Sequence, residues 1–277
     1  MRFFSLVRFD LSYGIFRGGA YKKYLALSGL FVLACLEFTY KLKAFELTSY
    51  SYGDYLLYLF GGMKEYIPNP SEPFQIPYLW LLNHILILFF TLHYMHDDLT
   101  GFGQNMIYRS GSRMFWWLSK CIWNLVAVSL FYLAAWIVIL IFSTVNGAAF
   151  SLEISSFMPQ IMNFGGNQIP MDHWDLAAEI TVLPLLTTMA LSMLQMVLCL
   201  IVKPLFSYIL SAVIFISSAY YLSPFLPGNY AMALRSSKAV TNGVEGTVGM
   251  VYMAFLIVAS MLIGLCIVQK CDVLGRE

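Results

Sequence analysis

Charge is what this sequence has least of. Only 11% of its 277 residues are Asp, Glu, Lys or Arg, where soluble domains carry about a quarter. The shortage runs the whole length, which excludes a globular protein with a hydrophobic tail and points to an integral membrane protein. Net charge is +1 and no basic domain stands out, so a nucleic-acid partner is discarded. No Gly-Lys pair occurs anywhere. The chain therefore lacks the GxxxxGK[ST] loop whose backbone amides and lysine cradle ATP phosphates. There is no HExxH for a zinc protease and no GxSxG nucleophile elbow. The five cysteines form no CxxC pair, four lie in apolar stretches, and none falls in a segment assigned to the outside. No disulfide is expected. Ionisable groups are also scarce within the apolar stretches, where His84 and Glu179, with the polar Asn83, stand nearly alone. Proton- and ion-coupled carriers use buried acids or bases at mid-membrane, so this weighs against secondary transport and against an ion filter.

What remains is apolar sequence in helix-length runs. A helix needs about 20 residues to cross the hydrocarbon. Candidate spans lie at about 24–40, 78–95, 115–142, 176–202, 205–222 and 248–268. The fourth contains Pro184, and Lys203-Pro204 leaves room only for a very tight turn before the fifth. Residues 1–23 keep their charge to Lys23 and show no cleavage site. At helical spacing, Phe3, Val7, Leu11 and Ile15 form one stripe, with Arg2, Ser5, Arg8 and Ser12 opposite. This predicts an amphipathic helix lying in the membrane interface. The expected fold is all-α and integral to the membrane, a single transmembrane domain over 1–277.

The cations set the orientation. With the N-terminus inside, eleven of the sixteen lysines and arginines fall on inner segments, so both termini are expected in the cytoplasm. Trp80, Trp116-Trp117 and Trp174 sit near span ends, as interfacial aromatics do. The outer segments are then the long ones, roughly 41–77, 143–175 and 223–247. Within the first, Tyr52–Tyr66 is too short and polar to span and is expected as a helix on the outer surface. Pro68, Pro70, Pro73 and Pro77 follow as an extended return. The third begins SPFLPGNYAMALRSS, which fits either a short re-entrant element or an ordinary polar loop.

Two polar features could carry chemistry. His93-x-x-His96-Asp97-Asp98 places two histidines on one helix face with acids next to them, a pattern that can hold a metal. Membrane di-iron enzymes need several such clusters, and this chain has only four histidines. The plainer expectation is a span end, with Asp97 or Asp98 capping the next short helix. The second feature is the inner stretch His96–Lys120, HDDLTGFGQNMIYRSGSRMFWWLSK. Here 98–107 forms an amphipathic pattern through Leu99, Phe102, Met106 and Ile107. Gly101 and Gly103 keep it thin, and RSGSR and the Trp pair follow. A short helix clamped between two spans could transmit a push from a soluble motor.

On these features the chain resembles the permease subunit of a bacterial type-2 ABC exporter. The resemblance covers nearly the whole chain: the interfacial N-terminus, six spans and DLTGFGQNMIYRSGSRMFWWLSK between the second and third. The near-absent loop between the fourth and fifth, PFLPGNYAMALRSS before the sixth, and the basic tail QKCDVLGRE complete it. It implies a coupling loop at 96–113 that docks a separate ATPase through Asp98, Gly101, Phe102, Gln104, Arg109 and Arg113. It also implies two permease chains, identical or mixed, and two ATPase copies. ATP and Mg would sit on those partners, with no cofactor or catalytic residue here. The substrate path would run past Asn83, Tyr208, Ser211 and Ser218. Such permeases of the phenol-soluble-modulin or bacteriocin kind are similar in their aromatic outer loops. The expected function is outward movement of hydrophobic or amphipathic peptides across the bacterial cytoplasmic membrane. The alternatives are a membrane metalloenzyme built on His93, His96, Asp97 and Asp98, or a peptide-immunity protein that does not transport.

Overall fold

A computed structural model describes residues 3–16, 20–68, 73–100, 112–162 and 173–270. Eight helices of more than one turn make up the described chain: α1 (Phe3–Leu11), α2 (Ala20–Ala44), α3 (Tyr52–Phe60), α4 (Tyr78–Thr100), α5 (Arg113–Val145), α6 (His173–Cys199), α7 (Pro204–Tyr220) and α8 (Gly246–Lys270). No strand forms among the described residues, where only two isolated bridges occur. Four stretches, Tyr21–Ala44, Arg113–Val145, Leu176–Cys199 and Gly246–Lys270, are long and apolar enough to cross a membrane. The chain is thus an all-helical membrane protein. Tyr78–Leu92 and Pro204–Tyr220 are apolar but shorter.

Helix α6 is the axis of the bundle. It packs against α8, α4, α5, α7 and α3, and Pro184 lies within it. The α6–α7 turn is as tight as Lys203-Pro204 predicts, because Pro204 occupies the first turn of α7, where its missing N–H costs nothing.

Helix α3 departs from expectation. It does not lie on a surface: Gly53 to Phe60 are all buried, among α2, α4, α5 and α6. Its sequence YGDYLLYLF is apolar nearly all round, and such a helix needs protein on every side. Its start is a capping box. Ser51 Oγ accepts from Asp54 N at 3.1 Å, and Asp54 Oδ2 accepts from Ser51 N at 2.8 Å. Asp54 also accepts from the amide and hydroxyl of Ser155, at 2.8 and 2.6 Å. One carboxylate thereby ties α3 to the segment after α5. A side chain at Gly53 would strike the Leu152 carbonyl.

Three of the four span-end tryptophans also turn inward, and the side chain of the fourth, Trp174, lies outside the described residues. Trp80, Trp116 and Trp117 are buried in the bundle. The Trp80 indole donates to Ala231 O at 3.0 Å and that of Trp117 to Met261 O at 2.9 Å. A buried indole N–H needs such an acceptor. Gly264 of α8 lies so close to the Trp117 ring that any side chain there would overlap it.

The stretch after α7 forms a compact cap. Pro227 to Ser236 are all buried, through a one-turn helix, Pro227–Tyr230, and a 3-10 turn, Ala233–Arg235. The apolar onset stays outside, with Phe225 exposed. Arg235 reaches across this cap to the end of α7 and to the 63–64 backbone.

Candidate functional site

Most of the expected docking segment, Gly101, Phe102, Gln104 and Arg109, lies outside the described residues. Its two ends are visible. Helix α4 runs on to Thr100, so His96, Asp97 and Asp98 fall in its last turns rather than at the start of a new helix. The side chains of His93, His96, Asp97 and Asp98 lie outside the described residues. Among those described, no group of three or more His, Cys, Asp or Glu could hold a metal. Arg113 opens α5 behind the N-cap Ser112, and its Nη1 donates to Val268 O of α8 at 3.5 Å.

A buried ion pair sits beside these two ends. Asp10 of α1 and Lys120 of α5 meet at 2.7 Å, with both side chains at 5% exposure or less. Tyr94 of α4 donates to Asp10 Oδ1 at 2.8 Å, and Ser119 donates to Oδ2. The Lys120 ammonium also lies 4.9 Å from the Tyr94 ring and 5.8 Å from the Trp116 ring, within cation–π range. Below the pair, Tyr94 stacks on Trp123 at 3.9 Å. The π-helical turn Ser12–Phe16 brings Gly14 against both rings, where no Cβ would fit. Leu6 and Asp10 are therefore the most buried residues of α1, rather than the Val7–Leu11 line of the expected stripe. The face of α1 is set by packing on α5. A carboxylate in an otherwise basic segment was the available signal for this contact.

Of the expected path residues, Tyr208, Ser211 and Ser218 lie on α7, and Asn83 lies on α4, which packs against it. Asn83 is buried and donates to Leu59 O of α3 at 3.4 Å. Ser211 and Ser218 are buried and bond back to Ser207 O and Ile214 O of their own helix. Tyr208 is part-buried, edge-on to Phe89 at 5.8 Å. The longest run of buried polar groups lies on α6 instead, at Thr188, Ser192, Gln195 and Cys199. That spacing of four, three and four keeps them on one side of a helix. Near its upper part, Tyr132 hydrogen-bonds Thr188 at 2.8 Å and Pro184 O at 3.0 Å, and lies 3.4 Å from His84 Nε2. The spacing is visible in the sequence, and what it faces is not.

The family whose profile matches residues 31–274 is described as a protein of unknown function (DUF2705), and the chain belongs to it. No curated protein matches the chain.

Proposed function

We propose that this chain is the permease subunit of an ATP-driven exporter of hydrophobic or amphipathic peptides. In this reading it crosses the bacterial cytoplasmic membrane six times, with α4 and α7 as the two spans beyond the four long ones. Both termini are cytoplasmic, and α1 lies at the inner interface. A second permease chain completes the path, and two copies of a separate ATPase bind the 96–113 segment and hydrolyse ATP. The observation that best supports this is the Asp10–Lys120–Tyr94 junction. It fastens α1 to α4 and α5 where both enter that segment, as a part that receives force must be fastened.

Affinity purification of the tagged full chain from native membranes tests this. An ATPase carrying a P-loop should co-purify, and Arg109→Glu or Arg113→Glu should weaken its coupling to transport without lowering expression. The absence of any stable ATPase partner would sink the reading.

A further inference from the structure

The α6 polar run ends in a crevice between α4, α5 and α6, lined by Thr91, Asn124, Ser192, Gln195, Met196 and Cys199. Asn124 and Gln195 are each 1% exposed. Gln195 Nε2 donates to Leu88 O at 2.9 Å, and Asn124 Nδ2 donates to Ser192 Oγ at 3.1 Å. The Gln195 amide cannot be turned round, because the Leu88 carbonyl accepts only. The Asn124 orientation goes with the Ser192 hydroxyl donating to Met189 O at 3.0 Å. The free atoms are thus both carbonyl oxygens, and neither has a donor. The crevice is narrow, with no space between its lining atoms wide enough for a water molecule. In this arrangement the packing leaves both acceptors without a partner, which costs free energy. Thr187 Oγ1 and Glu179 Oε2 are also buried without a partner. Among the described residues, buried side-chain polar atoms without a partner thus divide between α5 and α6, three on each.

We propose that this junction is an internal hydration site, closed here, which takes up water when α6 shifts against α4 and α5. Asn124 Oδ1 and Gln195 Oε1 receive the water. Its two O–H groups match two free acceptors. A metal cation is the poorer guest, because the lining carries no charge to offset the loss of its hydration. Cys199, on the crevice wall and hydrogen-bonded to Ser207 Oγ at 2.9 Å, is a built-in reporter. A thiol there reacts with a charged reagent only when water reaches it.

The test uses the full chain in lipid nanodiscs with Cys35, Cys121, Cys266 and Cys271 changed to Ala. A small charged methanethiosulfonate should label Cys199 slowly but measurably. Asn124→Leu with Gln195→Leu should raise Tm, because it removes acceptors that are dry in the closed state, and should slow labelling about tenfold. No labelling, or labelling unchanged by the Leu pair, overturns the proposal. So does a lower Tm, which would mark the two amides as structural through their donated bonds alone. If the pair fails to fold, Gln195→Met, which keeps the length of the side chain, is read by the same two measurements.

Discussion

Arg235 has no measurable exposure, and among the described residues no carboxylate hydrogen-bonds to it, although the charge of Glu65 acts on it. Its guanidinium is satisfied by oxygens. Nη2 donates to Ala219 O at 2.6 Å and Lys64 O at 3.3 Å, and Nε to Met63 O at 3.2 Å. Nη1 donates to Ser218 O, Tyr221 O and Asn229 Oδ1. Three of those carbonyls close α7, where the helix dipole is negative and a cation is favoured. Burial lowers the Arg235 pKa to about 10, so the charge persists at neutral pH. A lysine offers one point donor group in place of a planar fork. Arg235→Lys should therefore cost about 2–3 kcal/mol, read as a fall in Tm. A variant as stable as the parent would show that these bonds contribute nothing net.

Asp54 is the acidic counterpart, with donors converging on both oxygens. Asn in its place would turn an amide NH2 towards an N–H, at a cost of about 2 kcal/mol. Burial raises its pKa above the ordinary 3.8, against the pull of the bonds from Ser155 and Ser51. A raised folded-state value means that the folded chain takes up the proton first as pH falls. The resulting stability is fully present below 3.8 and is lost as pH rises through the folded value. The Tm advantage of the parent over Asp54→Asn should narrow across that window. An advantage that widens there would reverse the sign.

Among the elements, α1 is the one whose role changes most on packing. A buried ion pair contributes little net stability, but removing one partner strands the other charge. Lys120→Met alone should cost about 3–5 kcal/mol, while Asp10→Leu with Lys120→Met should recover most of it. Thermal unfolding of the single and double variants decides this. Equal losses in both would mean that the pair does not act as a unit. The sequence shows α1 as a helix and shows Asp10 as its odd member, but not that Lys120 waits 110 positions later. The same limit explains α3 and the tryptophans. Lipid and protein interior are both apolar, so hydrophobicity marks a helix without saying which of the two covers it. Where local chemistry decides, the sequence is enough: Lys203-Pro204 makes the turn before α7.

At the scale of the whole molecule, the helices differ widely in length. The 33 residues of α5 reach about 50 Å, and the 17 of α7 about 25 Å, against roughly 30 Å of hydrocarbon. The outward face of α7 carries Leu205, Phe206, Ile209, Leu210, Val213 and Ile216, all exposed. Around a short apolar face the bilayer must thin, at a fraction of a kcal/mol per Å, or the face must find protein. If α7 crosses the membrane, as the exporter reading has it, lipid thickness becomes a control on assembly. If two chains pair through α7, the paired fraction should grow as vesicle lipids lengthen from 14- to 20-carbon acyl chains, by about threefold or more at fixed protein-to-lipid ratio. Energy transfer between labelled copies measures it, and a fraction indifferent to chain length would place the contact elsewhere. The short helix would make the surrounding membrane, as much as any side chain, a determinant of who stands next to this protein.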